Sequence, residues 1–254
     1  MLSARRHDLI VEALRSAGVV STDELAQRLE VSVETVRRDL VVLERRGALR
    51  RVHGGAAPAR AFGGTEASFD DRSNTATEEK RAIGRRAAEL VSCGQTVVLD
   101  VGTTALEVAR ALAPEFRGTV ATCSLLVAGE LANRGDVEVL VSGGRLRHGD
   151  LALSNAQTLS FFTDLRADIA FLGSGGVDAV AGLTDFHVDE VATRRVMIAN
   201  AARSYVLADS SKLGRVAPHR VCPLAEIDGL ITDGDVPTAL SIAVQGTGGV
   251  VLAA

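Results

Sequence analysis

The stretch Val31-Ser32-Val33-Glu34-Thr35-Val36-Arg37-Arg38-Asp39-Leu40 decides the reading of this chain. Val33, Val36, Leu40 and Leu43 recur at helical spacing and predict one apolar stripe. Ser32 is placed to cap the N-terminus of that helix, while Glu34, Thr35, Arg37 and Arg38 stand off the stripe near the same end. Just upstream, Ser21 and Glu24 have capping-box spacing and open a second helix through Leu25, Ala26 and Leu29. Only a tight turn at Glu30 and Val31 separates the two. An earlier helix runs from about Ser3 to Ser16, with Leu9, Ile10, Ala13 and Leu14 on one face and Gly18 at its end. Two short helices across a tight turn, with arginines on the exposed start of the second, make a helix-turn-helix. Such a helix fits the major groove of DNA, where guanidinium groups pair with guanine edges or with phosphate.

Downstream, Glu44, Arg45, Arg46 and Gly47 end the helix, and Ala48-Leu49-Arg50-Arg51-Val52-His53 reads as a basic β segment punctuated by Gly54-Gly55. A basic β-hairpin behind a recognition helix is a wing. At this point the chain resembles the DeoR/GlpR family of bacterial regulators. The resemblance rests on residues 31–40, then Leu43-Glu44, Gly47, Leu49, Arg51 and His53-Gly54-Gly55-Ala56. It implies that Ser32, Thr35, Arg37 and Arg38 contact DNA, with Arg51 and His53 assisting from the wing. The residues themselves leave choices open. A hydroxyl at a helix N-terminus serves either as a cap or as a phosphate contact, which applies to Ser32 and Thr35. His53 is a DNA contact or a packed wing residue. Asp39, as a carboxylate, is expected to orient an arginine rather than meet phosphate.

Charge is divided in the same way. Residues 1–60 hold 11 Arg and Lys against 8 Asp and Glu, while the remainder holds 17 against 24, within an overall net charge of −4. A basic head on an acidic body suits a DNA-reading module joined to a metabolite-binding domain. The hydrophobic fraction of 46% and charged fraction of 24% are those of a globular protein. No run approaches the roughly 18–20 apolar residues of a membrane span. The N-terminus lacks the apolar core of a secretory signal, so a cytoplasmic protein is expected. Cys93, Cys123 and Cys222 have no metal-like spacing and read as reduced thiols. Neither a metal nor a cofactor is expected.

The expected organisation is a winged helix-turn-helix at 1–57, a linker rich in Ala, Gly, Pro and Ser at 58–76 that includes Gly63-Gly64, and an α/β domain at 77–254. In that domain a helix starts at Thr77 and continues through Ile83, Ala87 and Leu90. Apolar runs at 96–101, 119–122, 137–141, 169–172, 205–207, 229–231 and 249–252 read as strands, with helices at 106–112 and 125–133. Strands alternating with helices imply a mainly parallel sheet, whose ligands sit beyond the carboxyl ends of the strands. Polar loops fall there: Asp100-Val101-Gly102-Thr103-Thr104, Thr122-Cys123-Ser124, Gly143-Gly144-Arg145 and Gly173-Ser174-Gly175-Gly176. The first opens a helix whose free N–H groups favour an anion. Lys212, in Asp209-Ser210-Ser211-Lys212, is one of only two lysines beside 26 arginines, a compact ammonium suited to phosphate or a sugar oxygen.

These loops also match the sensor domain of the DeoR-type regulators, so the resemblance covers nearly the whole chain. It implies a Rossmann-like fold similar to ribose-5-phosphate isomerase and a phosphorylated sugar or related metabolite as effector. It further implies an effector site of Asp100, Gly102, Thr103, Thr104, Thr122, Ser124, Gly143, Gly144 and Lys212, and a repressor of carbon-metabolism genes. Three places depart from the family pattern: Cys123 replaces the usual Asn of Thr-Asn-Ser, Leu153-Ser154-Asn155-Ala156 lacks the frequent Gly-Pro, and Leu213 stands where an aromatic is common.

An isomerase is the competing class. It needs a carboxylate base, for which Asp100 and Asp185 are candidates, but it has no use for a DNA-binding head. A nicotinamide-binding domain lacks its Gly-x-Gly-x-x-Gly. A regulator answering only to protein partners would have a ligand-insensitive sensor. The expected partners are therefore a double-stranded DNA operator, the phosphorylated metabolite, and further copies of the chain in a dimer or tetramer.

Overall fold

Ser21 and Ser32 both stand where helices begin. The computed structural model describes residues 3–17, 20–45, 48–52, 54–58 and 66–254. The expectations placed on Gly18, Gly47, His53 and Gly63-Gly64 lie outside the described residues. The chain divides into two compact units, Met1–Gly64 and Thr65–Ala254.

In the first unit α1 (Ser3–Ala17) leads through β1 (Val20–Ser21) into α2 (Thr22–Leu29) and α3 (Val33–Arg45), followed by β2 (Leu49–Val52) and β3 (Gly55–Pro58). The Ser21 hydroxyl accepts from Glu24 N at 3.1 Å, and the Ser32 hydroxyl accepts from Thr35 N at 3.2 Å. Glu30 takes the left-handed conformation at φ 54°, and the N–H of Val31 reaches back to Ala26 O at 3.1 Å, which closes α2 and turns the chain sharply. The apolar stripe is buried as read: Val36, Leu40 and Leu43 pack with Ile10, Leu14, Leu25 and Leu29. The three strands form an antiparallel sheet in the order β1-β3-β2. Gly55 is required there, because a Cβ would collide with the backbone oxygen of Val20 on the neighbouring strand.

The second unit opens with α4 (Phe69–Ser73), a short helix in what composition alone marks as linker. There follow α5 (Thr77–Ala88), β4 (Thr96–Leu99), α6 (Thr103–Ala111), β5 (Gly118–Thr122), α7 (Leu125–Leu131), β6 (Val137–Val141) and the hairpin β7 (Arg145–Arg147) and β8 (Ala152–Ser154). The chain continues through α8 (Ala156–Asp164), β9 (Ile169–Leu172), β10 (Gly176–Asp178), β11 (Gly182–Asp185), α9 (Val188–Asn200), β12 (Ser204–Leu207), β13 (His219–Cys222), β14 (Gly229–Thr232), α10 (Thr238–Gln245) and β15 (Val250–Ala253).

Seven of these strands form one parallel sheet in the order β15-β14-β12-β9-β4-β5-β6. Alternation along β4 splits the core between the two faces. Val97 and Leu99 pack with Ile83, Leu106 and Phe171, while Val98 packs with Phe162, Leu172 and Met197. The central strands β9, β12 and β14 are buried throughout, which explains their continuous apolar runs. Beginning at β4, the chain builds outward to β6 and then returns to add β9 on the other side. The order thus reverses between β4 and β9, the topological switch point at which open α/β sheets hold ligands.

Two features escape the linear reading. A small antiparallel sheet, β10-β11-β13, lies outside the main one. The β7–β8 hairpin folds back so that Leu153 N bonds Cys123 O at 2.7 Å and Leu125 N bonds Leu151 O at 3.1 Å. No helix among the described residues is long and apolar enough to cross a membrane.

Candidate functional site

On α3, burial of the apolar stripe leaves Ser32, Glu34, Arg37 and Arg38 exposed and Thr35 half-buried. Arg37 and Arg38 share Glu34 at 3.6 and 3.8 Å, with side chains 64% and 80% exposed. Pairs this open and this long are worth little in water, so both guanidinium groups remain free to take phosphate or base edges. Ser32 is the helix cap, and its hydroxyl also lies 2.8 Å from that of Thr35. Arg51 is fastened to the end of α3, its backbone N–H donating to Glu44 Oε1 at 2.9 Å and its Nε to Oε2 at 2.7 Å. These bonds hold the Glu44 carboxyl below its usual range and set the first strand of the wing against the helix. Asp39 faces inward, accepting from Arg6 Nε at 2.7 Å and lying 3.0 Å from His7 Nε2. Burial pushes its carboxyl up, but the hydrogen bonds from Arg6 and His7 outweigh that and hold it below the ordinary value. The arginine that Asp39 was expected to orient is therefore Arg6, from the first helix.

In the second unit a cleft with about 50 Å³ of free interior opens at the switch point. Val101 to Ala105 line it from the end of β4, Gly173 and Ser174 from the end of β9, and Leu207, Asp209 and Lys212 from the end of β12. Gly102 adopts φ 116°, with open space where a Cβ would point. It is the N-cap of α6, and no side chain caps that end, so the first-turn amides beside Thr103 and Thr104 keep their donor capacity. Lys212 is half-buried, and its ammonium has no hydrogen-bond or ion-pair partner among the described residues. Burial, with the like charge of Arg215, lowers it to about 8. Arg215 stacks over Phe186 at 4.9 Å outside the cleft lining, and has no carboxylate in salt-bridge range among the described residues. The chain's other lysine, Lys80, lines the same cleft, but its ammonium donates to the carbonyls of Arg72 and Thr75.

Beneath these cations lies a buried ion network that the sequence did not announce. Arg194, 3% exposed, pairs with Asp100, Asp185 and Glu190, the last at 2.8 Å. Asp100 also accepts from Gly173 N at 2.9 Å, which ties the β4 and β9 loops together. The three carboxylates hold Arg194 charged despite its burial. Burial pushes the Glu190 carboxyl up, with Asp185 and Asp100 adding to the rise against Arg194 and Arg147. Arg147 on the hairpin joins Glu190 to Asp150, and Asp150 lies 3.6 Å from Arg72 on α4. Asp100 and Asp185, the candidate bases of an isomerase, are thus both committed to Arg194.

Of the residues expected at the effector site, the cleft gathers Gly102, Thr103, Thr104 and Lys212, with Asp100 behind them. Thr122, Ser124, Gly143 and Gly144 stand outside its lining. The Thr122 hydroxyl accepts from Ser124 N at 3.0 Å, Ser124 caps α7, and Gly143 O accepts from Thr158 at 2.8 Å. They end strands on the β5–β6 side, away from the reversal between β4 and β9. At the departure in the hairpin, Asn155 takes φ 127° and caps α8 through Gln157 N at 2.9 Å. Glu66, Arg72, Glu190 and Arg194 are cleft residues that only the fold reveals, and Asp185, a candidate base in the sequence, joins them in the lining.

The chain's kinship agrees with this division. Residues 6–61 match the DeoR-like helix-turn-helix domain, and residues 75–234 match the DeoR C terminal sensor domain. The chain is similar to the glycerol-3-phosphate regulon repressor of Escherichia coli K12, at 35% identity over 94% of each chain. It is also similar to the HTH-type transcriptional regulator GlpR of Haloferax volcanii, at 39% identity over 92% of this chain and 91% of that one. Among solved structures, ribose 5-phosphate isomerase A of Methanocaldococcus jannaschii aligns with a TM-score of 0.41 and 19% identity over 55% of each chain. Matched along nearly its whole length by repressors and regulators, the chain belongs to the DeoR family of helix-turn-helix transcriptional regulators.

Proposed function

We propose that this regulator is a repressor whose hold on its operator is set by a phosphorylated sugar or related small metabolite bound in the switch-point cleft. The observation that carries this reading is Lys212, a half-buried cation without a carboxylate partner among the described residues, which lines one cleft with the uncapped N-terminus of α6. An unpaired buried cation is costly, and a helix N-terminus favours an anion, so the arrangement suits a phosphate. Asp209, also in the lining, offers an acceptor for sugar hydroxyls.

Direct effector contacts are assigned to Gly102, Thr103, Thr104 and Lys212, with Asp100 setting the loops through Arg194 and Gly173. Thr122, Ser124, Gly143 and Gly144 shape the neighbouring loops. Ser32, Thr35, Arg37, Arg38 and Arg51 are assigned to DNA, with His53 beside them on the wing. Copies of the chain would pair in the cytoplasm as a dimer or tetramer, setting recognition helices on half-sites about one DNA turn, ~34 Å, or a multiple of it apart. The relatives' names make glycerol 3-phosphate a first probe. The test is calorimetric titration of the full chain with glycerol 3-phosphate, ribose 5-phosphate and fructose 6-phosphate against glycerol, ribose and fructose. Binding that requires the phosphate supports the reading; equal binding of the free compounds, or no binding at all, defeats it.

A further inference from the structure

Glu66 is the second residue of the sensor unit, and its carboxylate lies in the cleft lining, 14% exposed. Arg72 meets one of its oxygens at 2.7 Å and His187 Nε2 meets the other at 3.0 Å. Within the same pocket lies Lys212, with no partner of its own. Glu66 thus stands in the cleft as an anion supplied by the protein, and its field, with that of Asp209, favours the charged forms of Lys212 and Arg215. Arg72 has capacity to spare, since its Nε is buried without a hydrogen-bond partner. A dianionic phosphate entering a cleft with so little free interior meets Glu66 as a like charge at short range, where repulsion is strong.

We propose that Glu66 is a tethered competitor for the effector's phosphate: its carboxylate holds Arg72 and His187 in the empty protein and is driven off them when phosphate binds. The proposal rests on the cleft being the phosphate site. Glu66 determines affinity by lowering the fraction of molecules open to the ligand, and apparent affinity falls in proportion to that fraction. Glu66 is also close in sequence to the DNA-binding unit, which ends at Gly64.

The test is the affinity of the full chain and its Glu66→Gln and Glu66→Ala variants for glycerol 3-phosphate and for inorganic phosphate. Both variants are expected to bind about 10-fold more tightly than the parent. A purely supporting role for Glu66 would instead weaken binding and lower the melting temperature. Equal or weaker affinity in both variants, with the parent still binding, overturns the competitor while leaving the site intact. If no phosphate probe binds any of the three proteins, the site and the competitor fall together.

Discussion

Arg38 on the recognition helix is 80% exposed with its nearest carboxylate at 3.8 Å, whereas Arg194 beneath the sensor cleft is 3% exposed and ringed by three carboxylates. The same side chain is kept unsatisfied in one unit and saturated in the other. Exposed, weakly paired guanidinium groups are available to an outside polyanion. A buried one balanced by Asp100, Asp185 and Glu190 orders the loops and has no charge left for a ligand. The cleft's free positive charge must come from elsewhere, and Lys212 in its lining supplies it.

Arg194→Leu should break this comparison most severely. It leaves the buried Asp100 and Asp185 without a cation and Glu190 with Arg147 alone, and should cost about 3–5 kcal/mol of stability. Urea unfolding of the full chain would read that loss in the sensor transition; a change under ~1 kcal/mol would mean that the network is not integral to the fold.

The central sheet strands were legible because buried parallel strands are continuous apolar runs, as at Ile169–Leu172 and Gly229–Thr232. The head was legible because helix caps and apolar spacing act within a few residues of each other. Part of the cleft lining was legible too, through Gly102-Thr103-Thr104 and Lys212. What the sequence hides is strand order. Nothing near Thr122 or Gly143 says that β5 and β6 lie to one side of the reversal, so their loops read the same as those of β4 and β9. Nor does anything local join Arg194 to Asp100, 94 positions away. The Glu190 and Arg194 pair at i,i+4 was the one visible signal, and that spacing is equally common on exposed helices. The short strands of β10-β11-β13 left no periodicity to detect.

Lys212→Ala removes the unpaired ammonium and should weaken phosphate-ligand binding by about 10- to 100-fold, as for a lost charged hydrogen bond. Effector-free DNA binding should be unchanged. Because the ammonium is lowered to about 8, ligand affinity in the parent should fall as pH rises through that value, with the cation present below it and lost above. Lys212→Arg, charged throughout, should bind without that dependence. A parent whose affinity is flat from pH 7 to 9 would place the phosphate elsewhere.

Arg37→Ala sharpens the other side. DNA affinity should drop roughly 5- to 100-fold, with the salt slope reduced by about 1 if its contact is to phosphate. Ligand affinity should be untouched, and loss of both would contradict the separation of roles.

The smallest effect belongs to Asp39. Its carboxyl is held below 3.8, so its contribution to the head is present above that value and lost as pH falls through the lowered one. Asp39→Asn should unfold at lower temperature near neutral pH and show a shallower acid transition by circular dichroism. Identical acid curves would mean that Arg6 and His7 do not anchor α3.

The most direct measurement follows the full chain on the DNA upstream of its own gene by fluorescence anisotropy, titrated with glycerol 3-phosphate and sugar phosphates and with their unphosphorylated counterparts. A phosphorylated compound that changes DNA affinity about 5- to 150-fold while its free counterpart does nothing is the expected result. DNA binding indifferent to every phosphate, or shifted equally by the free compounds, would contradict a phosphate-sensing cleft coupled to the recognition helix.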